Sequence, residues 1–131
     1  MEPKTGKILA MVSKPDFDPN TVESSWNALS TDENSVLLNR ATQGQYAPGS
    51  TFKVVTLLEF MRENPDYSSY SYNCTGSIEN SGIKIHCYNG HVHGQVSLEE
   101  SLAYSCNTSF SNIGLSLDPV KFKKTAEEDS V

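Results

Sequence analysis

The segment from Tyr46-Ala47-Pro48-Gly49 to Asn64-Pro65 limits the fold more than any other stretch. Pro48-Gly49 is a turn signal, and a proline after Asn64 crowds that residue out of helical conformation. Between them Val54, Val55, Leu57, Leu58 and Met61 recur at helical spacing. A helix from Ser50 to about Asn64 is therefore expected, with an apolar face to bury.

The first turn of that helix also carries chemistry. Ser50-Thr51-Phe52-Lys53 places a hydroxyl and an amine three residues apart, about one turn, so both side chains leave the same face. Serine at the positive end of a helix with a lysine beside it is a nucleophile–base arrangement. It points to acyl transfer through a serine ester. The same spacing recurs at Ser81-Gly82-Ile83-Lys84, but there Gly and Asn neighbours and the alternation of Ile83 with Ile85 predict a turn and a strand. Those two side chains would point to opposite faces, so no function is assigned to Ser81.

The chain has 131 residues, 37% of them apolar, which suits one small domain with one core. A net charge of −6 argues against nucleic acid or an anionic membrane surface as partner. No apolar run is long enough to span a bilayer, and no signal peptide is visible. An export address, if the protein has one, would lie outside this chain.

Three cysteines occur, Cys74, Cys87 and Cys106, without a C-x-x-C pair. No zinc site or other metal is expected from that spacing, and no cofactor. Cys74 and Cys87 flank an expected hairpin, so a disulfide and unpaired core thiols both remain open. Cys106 as a nucleophile is an alternative to Ser50 that would need a nearby cation, which His86, His91 or His93 could supply. His91 and His93 alternate and could share a strand face, but as a metal pair they are weak.

Along the chain, Lys4-Thr5-Gly6 followed by Ile8 to Val12 reads as a turn feeding a buried strand. Lys14 to Asn20, with two prolines, is expected to be irregular. A short helix is expected near Val36 to Leu38. Residues 67 to 94 read as a surface excursion with short strand-like pieces. Ser97-Leu98-Glu99-Glu100 is a capping box that opens a helix to about Tyr104. Asn107 to Leu117 can hold another. Asp118-Pro119 supplies an N-cap and a proline at the first helical position for a last helix.

Ser105-Cys106-Asn107 falls between two of these helices. A sharp turn there could hold both polar side chains in a cleft. The Ser105 hydroxyl can relay a proton and the Asn107 amide can both donate and accept. The plainer alternative makes them a helix C-cap and N-cap.

Together these blocks resemble the transpeptidase domain of penicillin-binding proteins, most closely the monofunctional class B type. Glu2 to Ser13 looks like the family's opening strands, and Asp16-Phe17-Asp18-Pro19-Asn20 like the segment after them. Leu38-Asn39-Arg40-Ala41 and Tyr46 to Lys53 resemble its nucleophile block, and Gly94 to Phe110 its second block. The resemblance implies a mixed α/β (α+β) fold of the penicillin-binding and serine β-lactamase type, with residues 1–131 forming a partial domain. It implies that Ser50 attacks the penultimate D-Ala carbonyl of a peptidoglycan stem peptide. Lys53 would be the base, Ser105 the proton relay, and Asn107 a substrate contact. β-Lactams would acylate the same serine. The parent protein would act at the extracytoplasmic face of a bacterial membrane, held by an anchor outside this chain.

The family's third element, Lys-Thr/Ser-Gly on a later strand, is missing after Ser105. Lys124-Thr125-Ala126 lacks the glycine, and Lys4-Thr5-Gly6 precedes Ser50. The isolated chain is therefore expected to be weak or inactive and to self-associate through uncovered apolar surface. Two alternatives are a serine β-lactamase or β-lactam sensor, and a non-catalytic folding or interaction module.

Overall fold

The computed structural model describes residues 1–128 and divides the chain into two compact units, residues 1–47 and 48–131. The first unit holds one helix, α1 (Val22–Ser30). It starts behind Asp18, whose Oδ1 accepts from the Asn20 N–H at 2.9 Å in front of a short 3-10 turn, Pro19–Thr21. The Asp-Pro pair that announces the last helix thus also announces this one, which the irregular reading of Lys14 to Asn20 overlooked. No helix forms at Val36 to Leu38, which lie in turns. There Ser13 Oγ donates to Leu38 O at 3.1 Å and accepts from Arg40 N at 3.0 Å.

The expected opening turn exists, with Gly6 N–H donating to Glu2 O at 2.9 Å. The strand after it does not: residues 8–12 carry no ladder, and Ile8, Leu9 and Val12 are 63%, 71% and 71% exposed. A strand needs a neighbour for its N–H and C=O groups, and no described strand pairs with this run.

The second unit is α-helices α2 (Lys53–Glu63), α3 (Leu98–Ala103), α4 (Asn107–Ser116) and α5 (Pro119–Glu128) around two small antiparallel sheets. Strand β1 (Ser71–Cys74) pairs with β4 (Gly94–Ser97), and β2 (Ser77–Asn80) with β3 (Ile83–His86). The β2–β3 link is the two-residue turn Ser81-Gly82, both at positive φ (51° and 80°), the backbone that matches the twist of a hairpin. Ser81 Oγ turns to Asn80, away from any role with Lys84.

The core is Phe60, Leu98, Phe110, Ile113 and Leu117, with Leu57, Met61, Tyr70 and Phe122 packed on it. Burying a side chain such as Ile113, which is 0% exposed, stabilises the fold by about 2 kcal/mol. The buried stripe of α2 differs from the expected one. Thr56, Glu59 and Phe60 are inside, whereas Val54 and Leu58 are exposed. The reason is α5: its Thr125 is buried against α2, donating to Glu59 and accepting from Arg62. A polar seam there rotates the helix so that Lys53, Leu57 and Phe60, spaced four and three residues apart, share a side. Lys124-Thr125-Ala126 is thus helix–helix packing.

Both remaining helix starts form as read. Ser97 Oγ accepts from Glu100 N at 3.2 Å while the Glu100 carboxylate accepts from Ser97 N at 2.9 Å. Asp118 Oδ1 accepts from Val120 N and Lys121 N at 2.9 and 3.0 Å.

Candidate active site

Four residues that the sequence singles out meet at one point of the second unit. Gly49, at φ +56°, bends the chain into a 3-10 turn, Gly49–Phe52, that runs straight into α2. The turn leaves Ser50 exposed, and the first residue of α2 is Lys53. From the other side comes the link between α3 and α4. Ser105 sits there at φ +52°, a left-handed conformation that a residue with a Cβ adopts only when its surroundings enforce it. Three backbone bonds do so: Tyr104 N–H to Glu100 O at 2.9 Å, Ser105 N–H to Leu102 O at 3.0 Å, and Cys106 N–H to Ser101 O at 2.9 Å.

Lys53 Nζ is the hub. It lies 2.7 Å from Ser105 Oγ, 2.7 Å from Ser105 O, 2.7 Å from Asn107 Oδ1 and 3.4 Å from Ser50 Oγ. It also stands 5.7 Å over the ring of Phe110. Asn107 is held from behind, its Nδ2 donating to His86 O at 2.9 Å. The lysine is half-buried, and loss of water pushes its pKa below the ordinary 10.5, against a smaller upward pull from the neighbouring Cys106 and Cys87 side chains. A neutral amine keeps two donors and gains a lone pair. It can then donate to Ser105 and Asn107 and accept from the Ser50 hydroxyl.

Ser50, Ser105 and Asn107 open onto a cleft of about 680 Å³, whose rim includes Tyr88, His91, His93 and Tyr104. These rim residues lie in the irregular stretch 88–93 and at the end of α3, where no periodicity marks them.

The structure also answers the open questions about the thiols. Cys74, Cys87 and Cys106 are unpaired and 0%, 3% and 0% exposed. The Cys74 and Cys87 sulfurs are 3.7 Å apart, well beyond the ~2 Å of a disulfide. Burial pushes the Cys106 thiol up, so it is a sealed side chain behind the cleft and the cysteine-nucleophile alternative falls. Against the expectation of no metal-binding pattern, the fold gathers all three thiols with His93, their four ligand atoms within 4.8 Å of one another. His91 stays out of this group, its ring edge-on to His93 at 4.7 Å. The signal that could have found the cluster is the pair of chain reversals enclosed by β1 and β4, which return residues 87 and 93 to residue 74.

Comparison with known proteins agrees in family. The model of the penicillin binding protein transpeptidase domain matches residues 1–128. The peptidoglycan D,D-transpeptidase PbpA of Mycolicibacterium smegmatis is 40% identical over an alignment covering 97% of this chain and 28% of that protein. Stage V sporulation protein D of Bacillus subtilis is 33% identical, over 95% of this chain and 18% of its own length. Among solved structures, the penicillin G acyl-enzyme complex of penicillin-binding protein A from M. tuberculosis superposes with a TM-score of 0.85 at 30% identity. That match covers the whole of this chain and 33% of the solved one. The chain thus spans less than a third of the curated relatives named here.

Proposed function

Because the chain belongs to the penicillin-binding protein transpeptidase family, we propose that it carries the nucleophile side of a peptidoglycan D,D-transpeptidase site. The observation that carries this reading is the lysine hub: one amine within 2.7 Å of Ser105 Oγ and Asn107 Oδ1 and 3.4 Å from Ser50 Oγ.

In the proposed reaction, neutral Lys53 takes the proton of the Ser50 hydroxyl as Oγ attacks the penultimate D-Ala carbonyl of a stem peptide. The Ser50 N–H, at the positive end of the helix, is one donor to the oxyanion. The C–N bond to the terminal D-Ala then breaks, and Ser105 Oγ passes a proton from Lys53 to the departing amine. An ester on Ser50 remains. An amine from a second stem attacks it, a new amide forms, and Ser50 Oγ regains its proton. Asn107 keeps Lys53 placed and faces the peptide. A β-lactam enters by the same first step: its ring C–N bond opens and the acyl group stays on Ser50.

Such a reaction belongs at the extracytoplasmic face of a bacterial membrane, where stem peptides are exposed. Among the described residues no helix is long and apolar enough to cross a membrane. The M. smegmatis relative, a peptidoglycan D,D-transpeptidase, supports the assignment of substrate class.

The test is intact mass after incubation with benzylpenicillin. A one-to-one adduct that forms slowly, as expected of this chain alone, and disappears in Ser50→Ala is the result that supports the reading. A folded chain that stays unmodified would overturn autonomous acylation by this site.

A further inference from the structure

We propose that Cys74, Cys87, His93 and Cys106 form a Cys3His site for one zinc ion, a closed structural centre distinct from the acylation chemistry.

The geometry carries the proposal. The sulfurs of Cys74 and Cys87 are 3.7 Å apart, and those of Cys87 and Cys106 3.8 Å apart. Zinc–sulfur bonds of about 2.3 Å in a tetrahedron demand sulfur separations of about 3.8 Å. The fourth corner is the Nδ1 atom of His93, 3.3 Å from Cys74 Sγ. All four atoms lie within 4.8 Å of one another, so one ion could reach every ligand. Ordinary core thiols pack against carbon. Here they converge with an imidazole nitrogen instead, and the hydroxyl of buried Thr108 is 3.2 Å from Cys74 Sγ. A hydroxyl donor on a ligating sulfur is the usual support for a metal thiolate.

Ligand chemistry selects the metal. Three thiolates and one imidazole suit a borderline-soft ion in tetrahedral coordination, and hard oxygen-seeking ions are excluded by the absence of a carboxylate from the cluster. The three cysteines are sealed, so no corner is open to substrate, as in structural rather than catalytic centres. Binding replaces the thiol protons, which go to solvent, by bonds to the ion.

The placement explains what the ion would do. Cys74 ends β1, Cys87 precedes the turn Tyr88–Gly90, His93 precedes β4, and Cys106 is the N-cap of α4. Four segments that no long ladder joins would be fixed to one point. Cys106 lies between Ser105 and Asn107, so the ion would anchor the turn that presents both.

The whole 131-residue chain, kept reduced, is titrated with zinc against a chromogenic chelator and with cobalt(II) followed by absorption. One ion per chain is expected, with thiolate-to-cobalt charge transfer and the intense visible bands of a tetrahedral complex. Cys87→Ser and His93→Ala should each weaken zinc binding by about 100-fold or more. His93 is half-buried at the edge of the cluster, so its variant keeps the test open if the cysteine variant fails to fold. A folded chain that yields all zinc to the chelator would overturn the proposal. So would a cobalt spectrum without sulfur charge transfer, or undiminished affinity in His93→Ala.

Discussion

Lys53 Nζ is closer to Ser105 Oγ, at 2.7 Å, than to Ser50 Oγ, at 3.4 Å. In the proposed mechanism the amine rests on the relay hydroxyl and needs only a small shift toward Ser50 when a substrate arrives, since free sites often hold their catalytic hydrogen bonds long.

That arrangement fixes a pH dependence. Desolvation lowers the Lys53 pKa below 10.5. In the proposed mechanism the base is the neutral amine, so acylation by benzylpenicillin should fall as pH drops through the lysine's pKa and rise above it. The midpoint should lie below 10.5. Lys53→Met should slow acylation by roughly 100- to 10,000-fold and abolish the limb. A rate that ignores pH in the wild-type chain would contradict the role.

Ser105 separates backbone from hydroxyl. Its φ of +52° costs a Cβ-bearing residue about 1 kcal/mol that glycine does not suffer. Ser105→Gly should therefore be more stable to urea than Ser105→Ala by about that amount, while both lack the hydroxyl proposed as relay and should acylate about 100-fold more slowly. Equal stabilities would mean that the turn relaxes. Equal rates to wild type would remove Ser105 from the proton path.

Thr125 is a second stability probe. Thr125→Val keeps shape but leaves the buried Glu59 carboxylate without its hydroxyl donor. The expected loss is about 1–3 kcal/mol by chemical denaturation, with no change in the Lys53 limb. A neutral substitution would show that water replaces the lost contact.

The exposed run Ile8, Leu9 and Val12 supports association between copies through apolar surface. Light scattering at rising concentration should give a mass above one chain, reduced by Leu9→Lys. A constant single-chain mass would reject the idea.

Much of the site was legible because it is local. Ser50 and Lys53 are one helical turn apart, and the Pro48-Gly49 turn before them has its own residue signature. Ser105 and Asn107 flank one residue between two capped helices. The capping box at Ser97 and the N-cap at Asp118 were readable for the same reason. What was hidden depends on contacts distant in sequence. The burial of Glu59 against Thr125 rotated the buried face of α2 away from Val54 and Leu58 while keeping Leu57 and Met61 on the core. The cysteine cluster joins residues 13, 6 and 13 positions apart, spacings with no motif, brought together by the β1–β4 pairing, the Cys87 N–H bond to Gly76 O and the start of α4. The strand expected at residues 8–12 shows the converse: a β pattern without a paired neighbour stays unpaired.

Asn107 joins two groups of opposite character, accepting from Lys53 and donating to His86 O. The amide therefore cannot rotate by half a turn without setting its nitrogen against the lysine amine and its oxygen against the carbonyl. It gives the polar chain a sense of direction, from the end of β3 through one side chain to the amine. A displacement of the hairpin's last residue would thus be felt at Lys53 as a change of aim before any change of distance.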